Sequence, residues 1–256
     1  MRISIALVIG AALLAFALIA NAPASLVDRE LAAATIYRVR LADVRGLWWS
    51  GSGELLLLPA GARQPVAWTI ELWPLLHGAF RGTLATGPAA TRHGQFAWQE
   101  GRLELHQIEL TLPANAVLQT LGAPAMLADA TGMVNARLDS VVRRAGTLSV
   151  RAVFLWQGAT LPGPGMDARI GLGEVHLDFS GQGPESTGAL RNAAGDVDIT
   201  GTVTVGYDGS LRLEATVRPS VGLDQDRRKA IAVALSAIGR SDGQGGWHLS
   251  WSAPLQ

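Results

Sequence analysis

The side chains able to do chemistry are few and scattered along this chain. The five histidines are His77, His93, His106, His176 and His248. No two stand at a spacing that would bring both imidazoles onto one metal ion, and no His-Glu-x-x-His run occurs. Cysteine is absent, which removes thiol nucleophiles, thiolate ligands and a disulfide framework together. Ser52 is flanked directly by Gly51 and Gly53, whereas a nucleophile elbow needs its glycines two residues away on either side. Gly163-Pro164-Gly165 and Gly243-Gln244-Gly245-Gly246 lack the lysine and the strand-to-helix setting of a phosphate cradle. Asp224 and Asp226 stand at a helix start, where carboxylates satisfy free N–H groups. These residues make no catalytic constellation, no metal site and no cofactor site, so an enzyme is not expected.

Tryptophan remains. There are eight Trp against two Tyr, and Trp68, Trp98, Trp156, Trp247 and Trp251 all fall in apolar phases of alternating segments. Trp48 and Trp49 are adjacent, so on a strand they would point to opposite faces. The simplest account is that the indoles fill one face of a curved sheet. The functional account leaves that face partly open for an apolar partner, either an acyl chain or another protein's strand. Trp68, Trp98 and Trp156 are the candidate partner or lipid residues on that account.

The elements that would position them alternate with period two. Tyr37, Val39 and Leu41 alternate with Arg38 and Arg40, as in a half-buried strand, and Trp68, Ile70 and Leu72 share a face. Gly51 and Gly53 allow a bulge or bend in LWWSGSGELLLL. Glu100-Gly101 joins two runs, and the apolar phase slips at His106-Gln107, where a bulge is expected. Asp208-Gly209 reads as a two-residue hairpin turn. Helices are expected at Ser25–Ala34, from Pro113 to a stop at Gly122, and over Ile231, Ala234, Leu235 and Ile238. Asp224 would cap the last of these and Gly239 stop it. The expected fold is mainly β: an elongated, twisted, mostly antiparallel sheet with short amphipathic helices packed at its ends. Trp49-Ser50-Gly51 and Trp156-Gln157-Gly158 hint at two similar halves, 23–143 and 144–256.

Ahead of all this lies Ile3–Ala20, apolar throughout except Ser4. As a helix its eighteen residues would rise about 27 Å, enough for the hydrocarbon core of a bilayer. Ala20-Asn21-Ala22 has the form of a signal-peptide cleavage site, but cleavage would leave Pro23 at the new terminus, and the apolar run exceeds the usual length of a signal's core. We therefore expect residues 1–22 to be an uncleaved anchor, with 23–256 across the membrane. Acidic and basic residues balance at 21 each, which gives no reason to expect nucleic acid.

Four features resemble the type II secretion system protein N family. The apolar segment runs directly into Pro23-Ala24-Ser25-Leu26-Val27. GLWWSGSGEL at 46–55 is similar to the family's Gly-x-hydrophobic-Trp-x-Gly segment, with a doubled tryptophan. WTIELWPLLHGAFRGTL at 68–84 is similar to its Trp-strand-Pro-Leu-Leu-x-Gly pattern. The order of elements agrees as far as the late helix and GGWHLSW. The resemblance implies a β-rich domain on a single inner-membrane helix, in the periplasm of a Gram-negative cell. It implies an accessory, non-enzymatic role in exporting folded proteins across the outer membrane, in contact with the secretin, pseudopilins or assembly platform. A lipid-binding or lipid-transfer protein using the apolar sheet face is the rival expectation. An exported hydrolase comes third, for want of a nucleophile or metal pattern.

Overall fold

The computed structural model describes residues 21–87, 91–124, 127, 129–163 and 169–254. The apolar segment 3–20 lies outside them, and among the described residues no helix is long and apolar enough to cross a membrane. The strands are β1 (Val39–Leu47), β2 (Ser50–Leu57), β3 (Ala62–Ile70), β4 (Ala79–Thr86), β5 (Arg92–Gln99), β6 (Arg102–Pro113) and β7 (Thr131–Arg144). They continue as β8 (Thr147–Pro162), β9 (Arg169–Gly183), β10 (Glu185–Ala193), β11 (Val197–Gly206), β12 (Ser210–Pro219), β13 (Arg240–Ser241) and β14 (Trp247–Pro254). All fourteen form one open sheet, paired in sequence order from β1 to β12 and then to β14 and β13. Every pairing is antiparallel. The expected antiparallel sheet is present, as an up-and-down meander from β1 to β12 with β14 next and the short β13 at the edge.

Side chains directly opposite in the register share a face, and one such row runs Val134, Trp156 and Val175, with Ile199, Val217 and Trp247 beyond. The apolar clusters of the molecule all belong to this face. Three helices cover it: α1 (Ser25–Ala34), α3 (Ala114–Thr120) and α4 (Gln225–Ile238); α2 (Leu72–Leu75) is a four-residue turn of helix between β3 and β4. α1 closes over Leu41, Val66, Trp68 and Ile70 through Val27 and Leu31. α3 seats Ala116 against Leu57 and Leu112. α4 seats Ile231 and Leu235, 1% and 6% exposed, among Val175, Val197, Val217 and Trp247. Burying each of those two side chains contributes about 1.5–3 kcal/mol.

The sheet curls around this face. In a flat sheet β7 and β11 would lie about 19 Å apart, four strand spacings of about 4.8 Å. Yet Arg143 at the end of β7 donates to the Tyr207 carbonyl at 3.4 Å, and its guanidinium sits 4.6 Å from the Tyr207 ring centre. Across the first half, Arg38 donates to the Thr120 carbonyl at 3.1 Å and the Thr120 hydroxyl to that of Leu58. α3 thus bridges the hairpin of β2 and β3 to the middle of the sheet. Crowding on the inner face is relieved where a glycine faces an aromatic ring: a Cβ at Gly51 would lie 2.6 Å from the Trp68 indole, and one at Gly188 2.9 Å from the Phe179 ring.

Several local details differ from the sequence expectation. Tyr37 stands before the strand in a left-handed conformation (φ 59°). β3 stops at Ile70, because Pro74 turns the chain into α2, so Leu72 does not share the face of Trp68. Trp48 and Trp49 form the turn after β1 and both pack on the same cluster. The bulge beside Gly53 lies in β1, between Ala42 and Arg45, with Asp43 left-handed. Asp208-Gly209 is part of a three-residue turn in which Gly209 alone of the pair has positive φ, and the Asp208 carboxylate accepts from the Ser210 N–H and hydroxyl. Glu100-Gly101 is the two-residue turn with both residues at positive φ. Asp224 caps α4 as expected, accepting from the Arg227 N–H at 2.8 Å. Gly239 ends α4 in extended backbone, and its missing side chain makes room for Leu249.

The phase slip in β6 is real and has a consequence. Gln107 is left-handed (φ 54°), and the ladder to β5 stops at Gln95 opposite His106. Beyond it the β6 carbonyls that face β5 are taken by side chains. The buried Thr86 hydroxyl donates to the Glu109 carbonyl, and the buried Gln64 amide donates to that of Thr111 while accepting from the Gly87 N–H. These bonds close a seam in the sheet. Elsewhere on the inner face, in β10, Ser186 is also fully buried, but its hydroxyl has no partner. Thr86→Val is therefore expected to cost about 1–3 kcal/mol by leaving a buried carbonyl unsatisfied. Ser186→Ala is expected to stay within about 0.5 kcal/mol of the parent. Urea unfolding followed by circular dichroism separates the two.

Candidate functional site

The three candidate tryptophans lie on the inner face but do not meet. Trp68 is 6% exposed in the α1 cluster, and its indole N–H donates to the Trp48 carbonyl at 2.9 Å. Trp156 packs at the margin of the α4 cluster and donates to the Thr131 carbonyl at 2.8 Å. Trp98, opposite Phe80 and Leu103, is 49% exposed. Two of the three therefore serve packing with their N–H groups satisfied, and the third, Trp98, is half uncovered on the same face. An apolar hollow of about 340 Å³ does exist on this face, beside α4, lined by Leu172, Val197, Ile199, Ala234, Leu235 and Leu249 among others.

The histidines remain apart, and among the described residues no group of His, Asp and Glu could hold a metal ion. On the outer face, a cleft of about 490 Å³ over the seam is lined by Arg92, Glu109, Arg137 and Asp139. Its charges already face one another: Arg92 lies 3.4 Å from Glu109, and Arg137 lies 3.1 Å from Asp139.

The informative feature is the contrast between the two edges of the sheet, which sequence periodicity could not reveal. An edge strand leaves alternate N–H and C=O groups pointing outward. On β1 the outward groups belong to Val39 and Leu41, since the N–H of Leu58 donates to the carbonyl of Arg38 on the other side. Both outward N–H groups are taken: that of Val39 donates to the Thr35 hydroxyl at 3.2 Å, and that of Leu41 to the Asp28 carboxylate at 2.7 Å. Asp28 also receives Arg40 in two bonds, at 2.9 and 2.6 Å. The far end of β1 is covered by residues 22–24, through Ala24 N–H to the Gly46 carbonyl, Trp48 N–H to the Ala22 carbonyl, and a bridge from Pro23 to Leu47. Hydrogen bonds from Arg40 hold the Asp28 carboxyl below the usual carboxylate range, outweighing its partial burial.

The opposite edge is different. β13 pairs only His248 and Trp247 of β14. The Asp242 N–H donates to the Gly246 carbonyl, which sets the even-numbered residues of β14 facing β13 and the odd ones facing β12. Beyond β13, Ser250 and Ser252 therefore point their N–H and C=O outward, with no partner strand among the described residues. Their exposed side chains lie on the outer face. What stands behind this edge is firm: α4 is fastened to the sheet by Asp196, which accepts from the Gly171 N–H at 2.8 Å and from Arg227 at 2.7 Å. Burial works against the Asp196 charge, yet the bonds from Arg227 and Gly171 keep its carboxyl below the ordinary range.

Residues 37–250 match the family model described as type II secretion system (T2SS), protein N. No curated protein and no solved structure matches the chain.

Uncapping the closed edge gives a direct check. Asp28→Ala is expected to lower the melting temperature and to produce concentration-dependent self-association in sedimentation velocity, with Asp28→Asn milder because its amide oxygen still accepts from Leu41. The folded carboxyl is depressed, so its stabilising contribution is present above the ordinary carboxylate pKa near 4. It is lost as pH falls through the lower folded value. An Asp28→Ala protein whose self-association and acid stability match the parent would rule out the capping role.

Proposed function

The chain belongs to the type II secretion system protein N family, a component of type II secretion, and from that premise we propose that it is a non-enzymatic accessory subunit. Residues 3–20 hold it in the inner membrane by a single pass, and the sheet lies in the periplasm. There it docks on other parts of the machine, such as the secretin, pseudopilins or assembly platform, by adding a partner's strand to β14. The observation that carries the reading is the asymmetry of the edges. β1 is capped at both ends by residues 22–35, at Val39 and Leu41 and again at Gly46 and Leu47, while Ser250 and Ser252 offer backbone groups with no partner strand among the described residues, on a strand braced by α4. Binding through main-chain bonds asks nothing of histidines or metals, which suits a chain whose titratable groups are scattered.

Proline at position 252 tests this without touching the β12 ladder, because the N–H it removes faces solvent. Ser252→Pro is expected to keep the parent melting temperature and far-ultraviolet spectrum. It should lose co-purification with the secretion subunits and reduce export of type II substrates to the level of the deletion strain. Unchanged export in Ser252→Pro would sink the edge reading; normal type II export on deletion, with a leaky outer membrane, would sink the accessory role.

The hollow beside α4 favours a second reading, lipid binding on the apolar face. Its volume, about 340 Å³, is at the lower end of ligand pockets. Stoichiometric phospholipid in native mass spectra of gently purified protein, without secretion subunits, would support it. Lipid-free protein would end it.

A further inference from the structure

We propose that the corner of the sheet carrying α2 is a membrane-interface foot, with Trp73 and Leu76 seated at the headgroup–acyl boundary of the bilayer that holds residues 3–20. The inference rests on the anchoring proposed above and adds where the domain meets the lipid.

The starting observation is an apolar group left in water. Trp73 is 74% exposed and Leu76 72%, with Leu72 at 40% beside them. Their neighbour Leu75 turns inward and packs against the buried cluster of Ala24, Leu41, Val66, Trp68 and Ile70, which Trp48 and Trp49 also join. The Ile70 N–H donates to the Trp49 carbonyl at 2.6 Å, and the Glu71 N–H to the Arg81 carbonyl at 2.8 Å. α2 is therefore a fixed projection of the sheet. It presents one leucine to the core and two leucines and a tryptophan to the outside.

The same corner is where the apolar segment joins the fold. Ala22 and Ala24 are stitched to Trp48 and Gly46, and Pro23 is bridged to Leu47, so the path of the chain is set from Ala22 onward. The eighteen-residue apolar run ends at Ala20. Two extended residues span about 7 Å at most, which leaves the end of the run within that distance of Ala22. A bilayer enclosing the run must then lie close to Trp48, Trp49 and α2. Tryptophan and leucine on a rigid projection at that level match the interface, where an indole buries its ring and keeps its N–H wet. Trp98, half-exposed one strand further along the same rim, extends the apolar corner.

A built-in comparison exists on the opposite rim. Ile36 and Tyr37 are also exposed, at 58% and 64%, but they precede β1, whose nine residues separate them from this corner by about 30 Å. Exposure alone would treat the two turns alike; the proposed foot does not.

The chain has no cysteine, so single thiols can be placed at will. Full-length Leu76→Cys and Tyr37→Cys proteins, each labelled with a nitrobenzoxadiazole probe, are reconstituted in phosphatidylethanolamine–phosphatidylglycerol vesicles. The probe at 76 is expected to emit at shorter wavelength and to lose most of its intensity to nitroxide-bearing lipid, while the probe at 37 keeps its intensity. Equal quenching at the two positions, in protein that resists alkaline carbonate extraction, overturns the foot and leaves anchoring intact. Extraction of the protein by carbonate overturns anchoring and the foot together. Shielding at 76 that needs secretion subunits and not lipid makes the corner a protein contact, and also overturns it. Trp73→Ser in the Leu76→Cys background is expected to weaken the quenching without altering carbonate resistance.

Discussion

Everything in this molecule depends on one constraint: an antiparallel meander with a single apolar face must find something to bury that face against. A second sheet would do, as would closure into a barrel. The described residues do neither. The sheet curls inward until strands four places apart come within reach, as the Arg143–Tyr207 contact requires. The remaining area is covered by α1, α3 and α4, each inserted where the chain passes from one strand to the next or enters the sheet. Curling crowds the inner side chains, and glycine opposite an aromatic ring is how the crowding is absorbed at Trp68 and Phe179.

Curvature in turn strains the ladders, and the polar groups that repair it are as specific as the apolar ones. At Gln107 the backbone turns left-handed and β6 parts from β5. Thr86 and Gln64 then supply from their side chains the bonds that a neighbouring strand would have given. Asn192 does similar work further on, donating to the Leu172 and Val197 carbonyls and accepting from the Ile199 N–H. A buried carbonyl without a donor costs more than most side chains contribute. These few residues therefore decide whether a long curled sheet is tolerable.

An open sheet has two edges, and edges invite pairing. Here they are handled differently. The first is sealed by the helix that precedes it, with Thr35 and Asp28 acting as surrogate acceptors for β1. The last is guarded for two residues by β13 and beyond them has no partner strand among the described residues. Family membership supplies the setting, type II secretion, in which the proposed strand addition would act. The rim beside α2 gives the domain a second distinctive surface, apolar and projecting, next to the point where residues 22–24 join the sheet.

Much of this was legible in the sequence, because alternation is local. The period of two located the strands and their apolar faces; Ser25–Ala34 and the Asp224 cap followed from composition and position; the slip at His106-Gln107 showed where a strand must change phase. Family membership was legible too, in Trp, Gly and Pro spacings. What only the tertiary structure decided is how far each tryptophan is covered and which backbone groups are left over. Trp68 and Trp98 look alike in sequence, yet one lies under α1 and the other faces water. The contacts that settle such matters join residues 82 and 64 apart, as in Arg38–Thr120 and Arg143–Tyr207. A side-chain pattern fixes the face a residue takes, but the curvature of the sheet and the covering of its edges depend on which distant segments return to touch it.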